Sequence, residues 1–115
     1  MWRAMVVEWD EMSDETKGYV IDAIVSADTL DKLAIAEMSK VSLCARIIEN
    51  PHTMVETLEL LAKKGNCGTR MILAEFNRTP VEALMMLALD SEKCVRDIAM
   101  ANPNLPEDMR AQLNS

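Results

Sequence analysis

Several things are scarce in this sequence, and each scarcity excludes something. Glycine occurs three times, proline four times, and aromatic residues make up 3% of the 115 residues. β-branched alternating runs and Asn-Gly hairpin signals are missing, which removes all-β architectures. No apolar run approaches the ~18 residues that a membrane span requires. Basic residues are outnumbered, 12 against 19 acids, for a net charge of −7. Direct nucleic-acid binding and attachment to an anionic membrane both need a Lys/Arg footprint, so both are unexpected here. Near the N-terminus a single Arg is followed by Trp9 and acids, unlike a signal peptide. Cys44, Cys67 and Cys94 are widely spaced, with no Cys-x-x-Cys pair. They read as reduced core thiols of a cytoplasmic protein.

What is abundant is Ala, Leu, Met and Glu, the residues of helices. The length suits one domain, 1–115. Within it the chain repeats itself: "TMVETLELLA" at 53–62 returns as "TPVEALMMLA" at 79–88. Thr53 with Glu56, and Thr79 with Glu82, have the form of a capping box opening a helix. Asp28 with Asp31 is a weaker version, and Pro106 matches Pro80 at a last start. Leu33, Leu58 and Leu84 correspond behind these starts, as do Ala36, Leu61 and Leu87. "LCARIIEN" (43–50), "TRMILAEF" (69–76) and "VRDIAMAN" (95–102) form a second, evenly spaced set. Asn50 and Asn102, each followed by Pro, and in the middle unit Asn77, are expected to end these helices in a left-handed C-cap. Ser39 or Ser42, Asn66 and Ser91 are candidate caps at their starts.

The expected fold is therefore all-α: a right-handed α-solenoid of short helix pairs, with a 25–26-residue repeat and about nine helices. Its units would be a degenerate N-terminal cap (1–27), repeats at 28–52, 53–78 and 79–104, and a capping half-repeat at 105–115. Trp2, Met5, Val6 and Trp9 follow i, i+3, i+4, i+7 spacing. Ser13 is expected to cap the next helix, with Tyr19, Val20, Ile24 and Val25 on its apolar side. Glu107, Arg110 and Gln112 replace Val81, Leu84 and Met86 in the last helix, as the polar face of a terminal unit requires.

"LALDSEKCVRDIAMANPNLPEDM" (87–109) resembles the variant leucine-rich repeat of bacterial proteins, a relative of HEAT-type helical repeats. The matching residues are Leu87, Ala88, Asp90, Val95, Arg96, Ala101, Asn102, Pro103 and Pro106. The resemblance extends over most of the chain, with Cys44 and Asn77 departing from it. It implies a helical-repeat fold and a habit of binding proteins.

Catalytic chemistry finds few candidates. His52, the one histidine, lies in a turn and has Arg78 and Asn104 as its repeat equivalents. No second histidine completes a nucleophile-and-base pair. Zinc-ligand spacing and a phosphate loop are lacking, and "KKGNCGTR" around Gly65 and Gly68 reads as a turn. Neither a cofactor nor a metal is expected, and the chain does not read as an enzyme. Arg70 and Arg96 read as rungs between repeats, partnered by Asp90 or Glu75.

The expected function is a protein–protein interaction module that presents one row of helices to a partner. Positions that differ between units are free to recognise, which selects Ala45/Met71/Asp97, Ile48/Ala74/Met100 and Glu49/Glu75/Ala101. Met71, Met85 and Met100 add adaptable thioethers. The alternative is a small acidic phage-type inhibitor, for example an anti-CRISPR or other anti-defence protein. Glu8, Asp10, Glu11, Asp14 and Glu15 would then occupy a groove meant for phosphates. Self-association through Trp2 and Trp9, giving a homodimer, is a third expectation.

Overall fold

The computed structural model describes residues 11–114. Among the described residues there are eight helices and no strand. They are α1 (Asp14–Ala23), α2 (Ala27–Ala36), α3 (Val41–Glu49), α4 (Val55–Lys64), α5 (Cys67–Glu75), α6 (Val81–Ala88), α7 (Lys93–Ala101) and α8 (Glu107–Asn114). None of them is long and apolar enough to cross a membrane. The stretch holding Trp2, Met5, Val6, Glu8, Trp9 and Asp10, and with it the first expected helix, lies outside the described residues.

The helix starts explain why the sequence repeats. Val41, Cys67 and Lys93 open α3, α5 and α7 at equal intervals, and Val55, Val81 and Glu107 open α4, α6 and α8 at the same interval. Ile21, Ile47, Leu73 and Ala99, spaced by that interval again, are fully buried. So are Leu58 and Leu61 of α4 and their counterparts Leu84 and Leu87 of α6, with only Leu58 keeping a trace of exposure. Helices this short are marginal alone. Burying one stripe of each helix against its neighbours supplies what propensity cannot.

Polar side chains stitch one helix pair to the next. The Asn50 amide donates to the carbonyls of Ile21 and Ile24 at 2.8 and 2.9 Å, and its oxygen accepts the His52 N–H at 2.8 Å. Asn102 repeats this with Ala74, Phe76 and the Asn104 N–H at 2.9, 3.1 and 2.9 Å. The Thr57 hydroxyl donates to Asp31 at 2.6 Å, and the Asn66 amide to the Ser39 carbonyl at 3.2 Å. The asparagine amides complete the bonding of the helix ends: the Ile21 and Phe76 oxygens also accept a backbone N–H, from Ile24 at 3.1 Å and Thr79 at 3.4 Å.

Several local expectations need correction. Asn50 and Asn102 end their helices in extended backbone, φ −68° and −69°, and no described residue has positive φ. Their value lies in the side-chain bridge rather than in a left-handed cap. In the middle unit Phe76, not Asn77, holds the C-cap position. Thr53 and Thr79 do not form capping boxes. Each lies just ahead of its helix and donates its hydroxyl backwards, to Ile47 at 2.5 Å and Leu73 at 2.7 Å. Each of these carbonyls also accepts a backbone N–H, from Asn50 at 3.2 Å and Phe76 at 3.3 Å, so the hydroxyl fills its second acceptor site and ties the turn to the helix it leaves.

Of the expected caps, Ser13 and Asn66 accept from the N–H of Thr16 and Thr69. Ser39, Ser42 and Ser91 do not cap: Lys40 and Glu92 stand at those starts without a side-chain bond. Ser26 caps α2 in place of Asp28. In α2 the buried pair is Leu30 and Ala34, while Leu33 is half-buried and Ala36 exposed. This helix starts further ahead of α4 than the repeat offset assumes, so that offset selects the wrong face. In α1 the buried residues are Lys17, Gly18 and Ile21, leaving Tyr19 and Val25 exposed. The helix ends at Ala23, so Val25 falls beyond it, while Val20 is half-buried and Ile24, at the C-cap, packs half-buried against the core. Arg110 is no solvated cap either. Its guanidinium donates to the carbonyls of Met100 (2.9 Å), Asn102 (2.8 Å) and Leu105 (3.3 Å), closing the end of α7.

Candidate functional site

Helices α3, α5 and α7 turn their apolar stripes inward, through Leu43, Cys44, Ile47 and Ile48 in α3 and through Leu73 and Ala74 in α5. The outward side is then fixed by helical geometry. Two adjoining depressions lie along it. One, of about 510 Å³, is lined by Ala45, Glu49, Ile72, Glu75, Phe76 and Asn77. The other, of about 460 Å³, is lined by Glu75, Asp97, Ile98, Ala101, Asn102 and Pro103. Glu75 is shared, so the two form one shallow trough across the three helices.

The chemistry of the trough is mixed. Ile72, Phe76 and Ile98 give it a half-exposed apolar floor. Glu49 and Glu75 are exposed, and neither carboxylate is ion-paired among the described residues. Asp97 is exposed and holds Lys93 at 2.6 Å. Arg78 reaches across from the turn after α5, donating to the Glu49 carbonyl at 2.8 Å, with its guanidinium 5.0 Å from the Phe76 ring centre. Apolar atoms that are open to water beside unpaired acids suit a partner bringing apolar side chains and a basic rim.

Of the residues singled out from sequence, Ala45, Glu49, Glu75, Asp97 and Ala101 lie on this trough. Met71 and Met100 are half-buried and pack against the core, as does Met85. Ile48 must be withdrawn as a contact residue. It is 1% exposed, because position 48 faces the interior with Ala74. Sequence reasoning missed Ile72 and Ile98, which share a column with Arg46, one interval before Ile72 and two before Ile98. Variation in the column Arg46/Ile72/Ile98 is the available signal, hidden when neighbouring apolar residues are all treated as core.

The acidic N-terminal stretch is only partly described. Glu11, Asp14 and Glu15 are exposed, and Glu8 and Asp10 lie outside the described residues. Asp14 accepts from Lys40 at 3.3 Å, and this bond raises the lysine above its ordinary pKa. Glu15 accepts from the Tyr19 hydroxyl at 3.4 Å. Two of these three carboxylates thus already have partners within the chain.

The cysteines separate into two environments. Cys44 is buried, its thiol 3.5 and 3.6 Å from the carbonyls of Glu37 and Met38, and burial pushes it up from the usual thiol range. Cys67 and Cys94 are not core thiols: Cys67 is half-buried, Cys94 is exposed, and their sulfurs lie 3.9 Å apart. The neighbouring Cys94 thiol raises the pKa of Cys67. Glu92 joins them, with the three ligand atoms all within 4.8 Å of one another. A full repeat of chain between the two cysteines hides the pair from any search for short ligand spacing.

The remaining candidates serve the scaffold. His52 is exposed in its turn. Arg70 pairs with Asp90, one guanidinium nitrogen lying 2.6 Å from each carboxylate oxygen, and Arg96 donates to the Asp90 carbonyl at 2.7 Å. Gly65 ends α4 where a Cβ would approach the Leu61 carbonyl oxygen to 2.5 Å, so the turn needs glycine for space.

No family model, curated protein or solved structure matches the chain. The trough itself therefore carries the functional reading.

Proposed function

We propose that this chain is a small right-handed α-solenoid with a 25–26-residue repeat, akin to the variant leucine-rich and HEAT-like repeats. It acts without catalysis, in the cytoplasm, as a protein-interaction module. The partner docks on the outward row of α3, α5 and α7, its apolar side chains over Ile72, Phe76 and Ile98. Its basic groups meet Glu49, Glu75 and Asp97. One observation carries this reading: the row leaves Ile72, Phe76 and Ile98 half-exposed beside carboxylates, two of which have no ionic partner among the described residues. Stacking contacts use the inward stripes, which leaves this face free for recognition.

The test is affinity capture from the native host's lysate, with parallel washes at about 0.1 M and about 0.5 M salt, where charge contacts alone are screened. The same capture is run with Ile72→Ala/Ile98→Ala, which trims the floor and keeps helix-forming residues. A protein retained by the wild type at high salt and lost by the variant supports the reading. One retained equally by the variant removes this face. A nucleic-acid-handling protein held only at low salt would instead support charge mimicry of the inhibitor kind.

A further inference from the structure

The stacking of α5 on α7 creates a second cluster that the protein-binding reading does not use. Cys67 is the first residue of α5, behind its Asn66 cap, and Cys94 is the second residue of α7. Their sulfurs are 3.9 Å apart. In a tetrahedral zinc site with Zn–S bonds of about 2.3 Å, two sulfurs stand about 3.8 Å apart. A disulfide needs about 2.05 Å, far closer than the observed separation. Glu92 stands at the N-cap of α7, and its carboxylate reaches the same point, within 4.8 Å of both sulfurs.

The cluster is held from outside by a chain of bonds. Arg70, one turn after Cys67, clamps the Asp90 carboxylate, whose Oδ1 also accepts the Glu92 N–H at 2.9 Å. That carboxylate therefore fixes both the turn carrying Glu92 and the register of α5 against α7. Arg96 adds a bond to the Asp90 carbonyl and a second, at 3.1 Å, to that of Ser91. Arg70, Asp90 and Arg96 are positioning residues for the cluster, and none of them contributes a ligand atom.

We propose that Cys67, Cys94 and Glu92 form a zinc site bridging α5 and α7. On binding, both thiols release their protons to solvent as the two Zn–S bonds form, and Glu92 completes a three-ligand set. The fourth position is left to water or to an outside donor, the arrangement of an open site. Two sulfurs with one carboxylate suit zinc better than copper(I), which selects thiolates, or calcium and magnesium, which select oxygens.

The experiment uses the full chain, reduced and free of chelator, titrated with cobalt(II) and then with zinc(II). One equivalent of cobalt is expected to give thiolate-to-metal charge-transfer absorption that zinc abolishes. Cys67→Ser and Cys94→Ser are each expected to weaken zinc binding by about tenfold or more, and Glu92→Gln by about tenfold. Zinc should also raise the melting temperature of the wild type and not of the two serine variants. Absence of the charge-transfer band in the wild type overturns the proposal without recourse to any variant. A band that survives both serine substitutions overturns it equally, and unchanged affinity in Glu92→Gln removes the third ligand.

Discussion

Replacing Asn102 with alanine tests how the helix pairs are joined. The side chain is 3% exposed and makes three hydrogen bonds: to the carbonyls of Ala74 and Phe76, and from the N–H of Asn104. Alanine removes all three and leaves the Ala74 carbonyl buried without this donor. At about 1 kcal/mol for each bond, and more for the stranded carbonyl, the loss comes to about 2–4 kcal/mol. For a domain of this size that is a fall in melting temperature of roughly 8–16 °C. Asn50→Ala removes the equivalent three bonds two intervals earlier in the chain and is expected to cost a similar amount.

Asn102→Asp sharpens the test. It keeps the shape but turns an oxygen towards two carbonyl oxygens, so its carboxyl should have a folded pKa above the unfolded ~3.9. A raised acid contributes stability below the unfolded pKa and loses it as pH rises through the folded one. The aspartate variant should therefore be weaker than the alanine variant at neutral pH and regain stability near pH ~4. Calorimetry or thermal circular dichroism reads all three variants. A change below about 0.5 kcal/mol in Asn102→Ala would refute the bridging role.

Three further outcomes are expected. Asp90→Ala strands the mostly buried Arg70, whose side chain is 19% exposed against 7% for Asp90, and should cost about 2–3 kcal/mol by denaturant titration; Arg70→Met/Asp90→Ala should recover part of it. Gly65→Ala should destabilise by roughly 1–3 kcal/mol in the same assay, because its Cβ would sit 2.5 Å from the Leu61 oxygen. Burial holds the Cys44 thiol above the ordinary 9.0, so its contribution is present below that pH and fades as pH rises above it. Wild-type stability measured at about pH 8 and about pH 10 should fall more steeply than that of Cys44→Ala, and Cys94 should react with thiol reagents before Cys44 does.

The helix pairs are legible because the sequence writes them more than once. Leu58 with Leu84, and Leu61 with Leu87, can be matched by eye, and all four are buried. Where the chain departs from its own copy, pattern reading fails. The starts of α2, α4 and α6 are misplaced by it because Thr53, Thr79 and Asp28 carry capping chemistry that the tertiary structure puts to other uses or leaves aside. Position 48 is misassigned because variation between Ile, Ala and Met looks like recognition, yet core volume can be redistributed among neighbours. The meeting of Cys67 with Cys94 is illegible for another reason. It depends on the offset between stacked helices, a tertiary quantity that no local spacing encodes.

Everything proposed for the outer face depends on the helix pairs stacking in a row, since that arrangement leaves the face open. Small-angle X-ray scattering on the monomeric chain, its mass fixed by light scattering, measures this directly. The described residues span 57 × 22 × 17 Å with a radius of gyration of 15.3 Å. A globule of this length would have a radius of gyration of about 13 Å. An elongated distance distribution with a radius of gyration at or slightly above 15.3 Å is the expected result. A symmetric distribution with a radius of about 13 Å would contradict the stack and the binding face built on it.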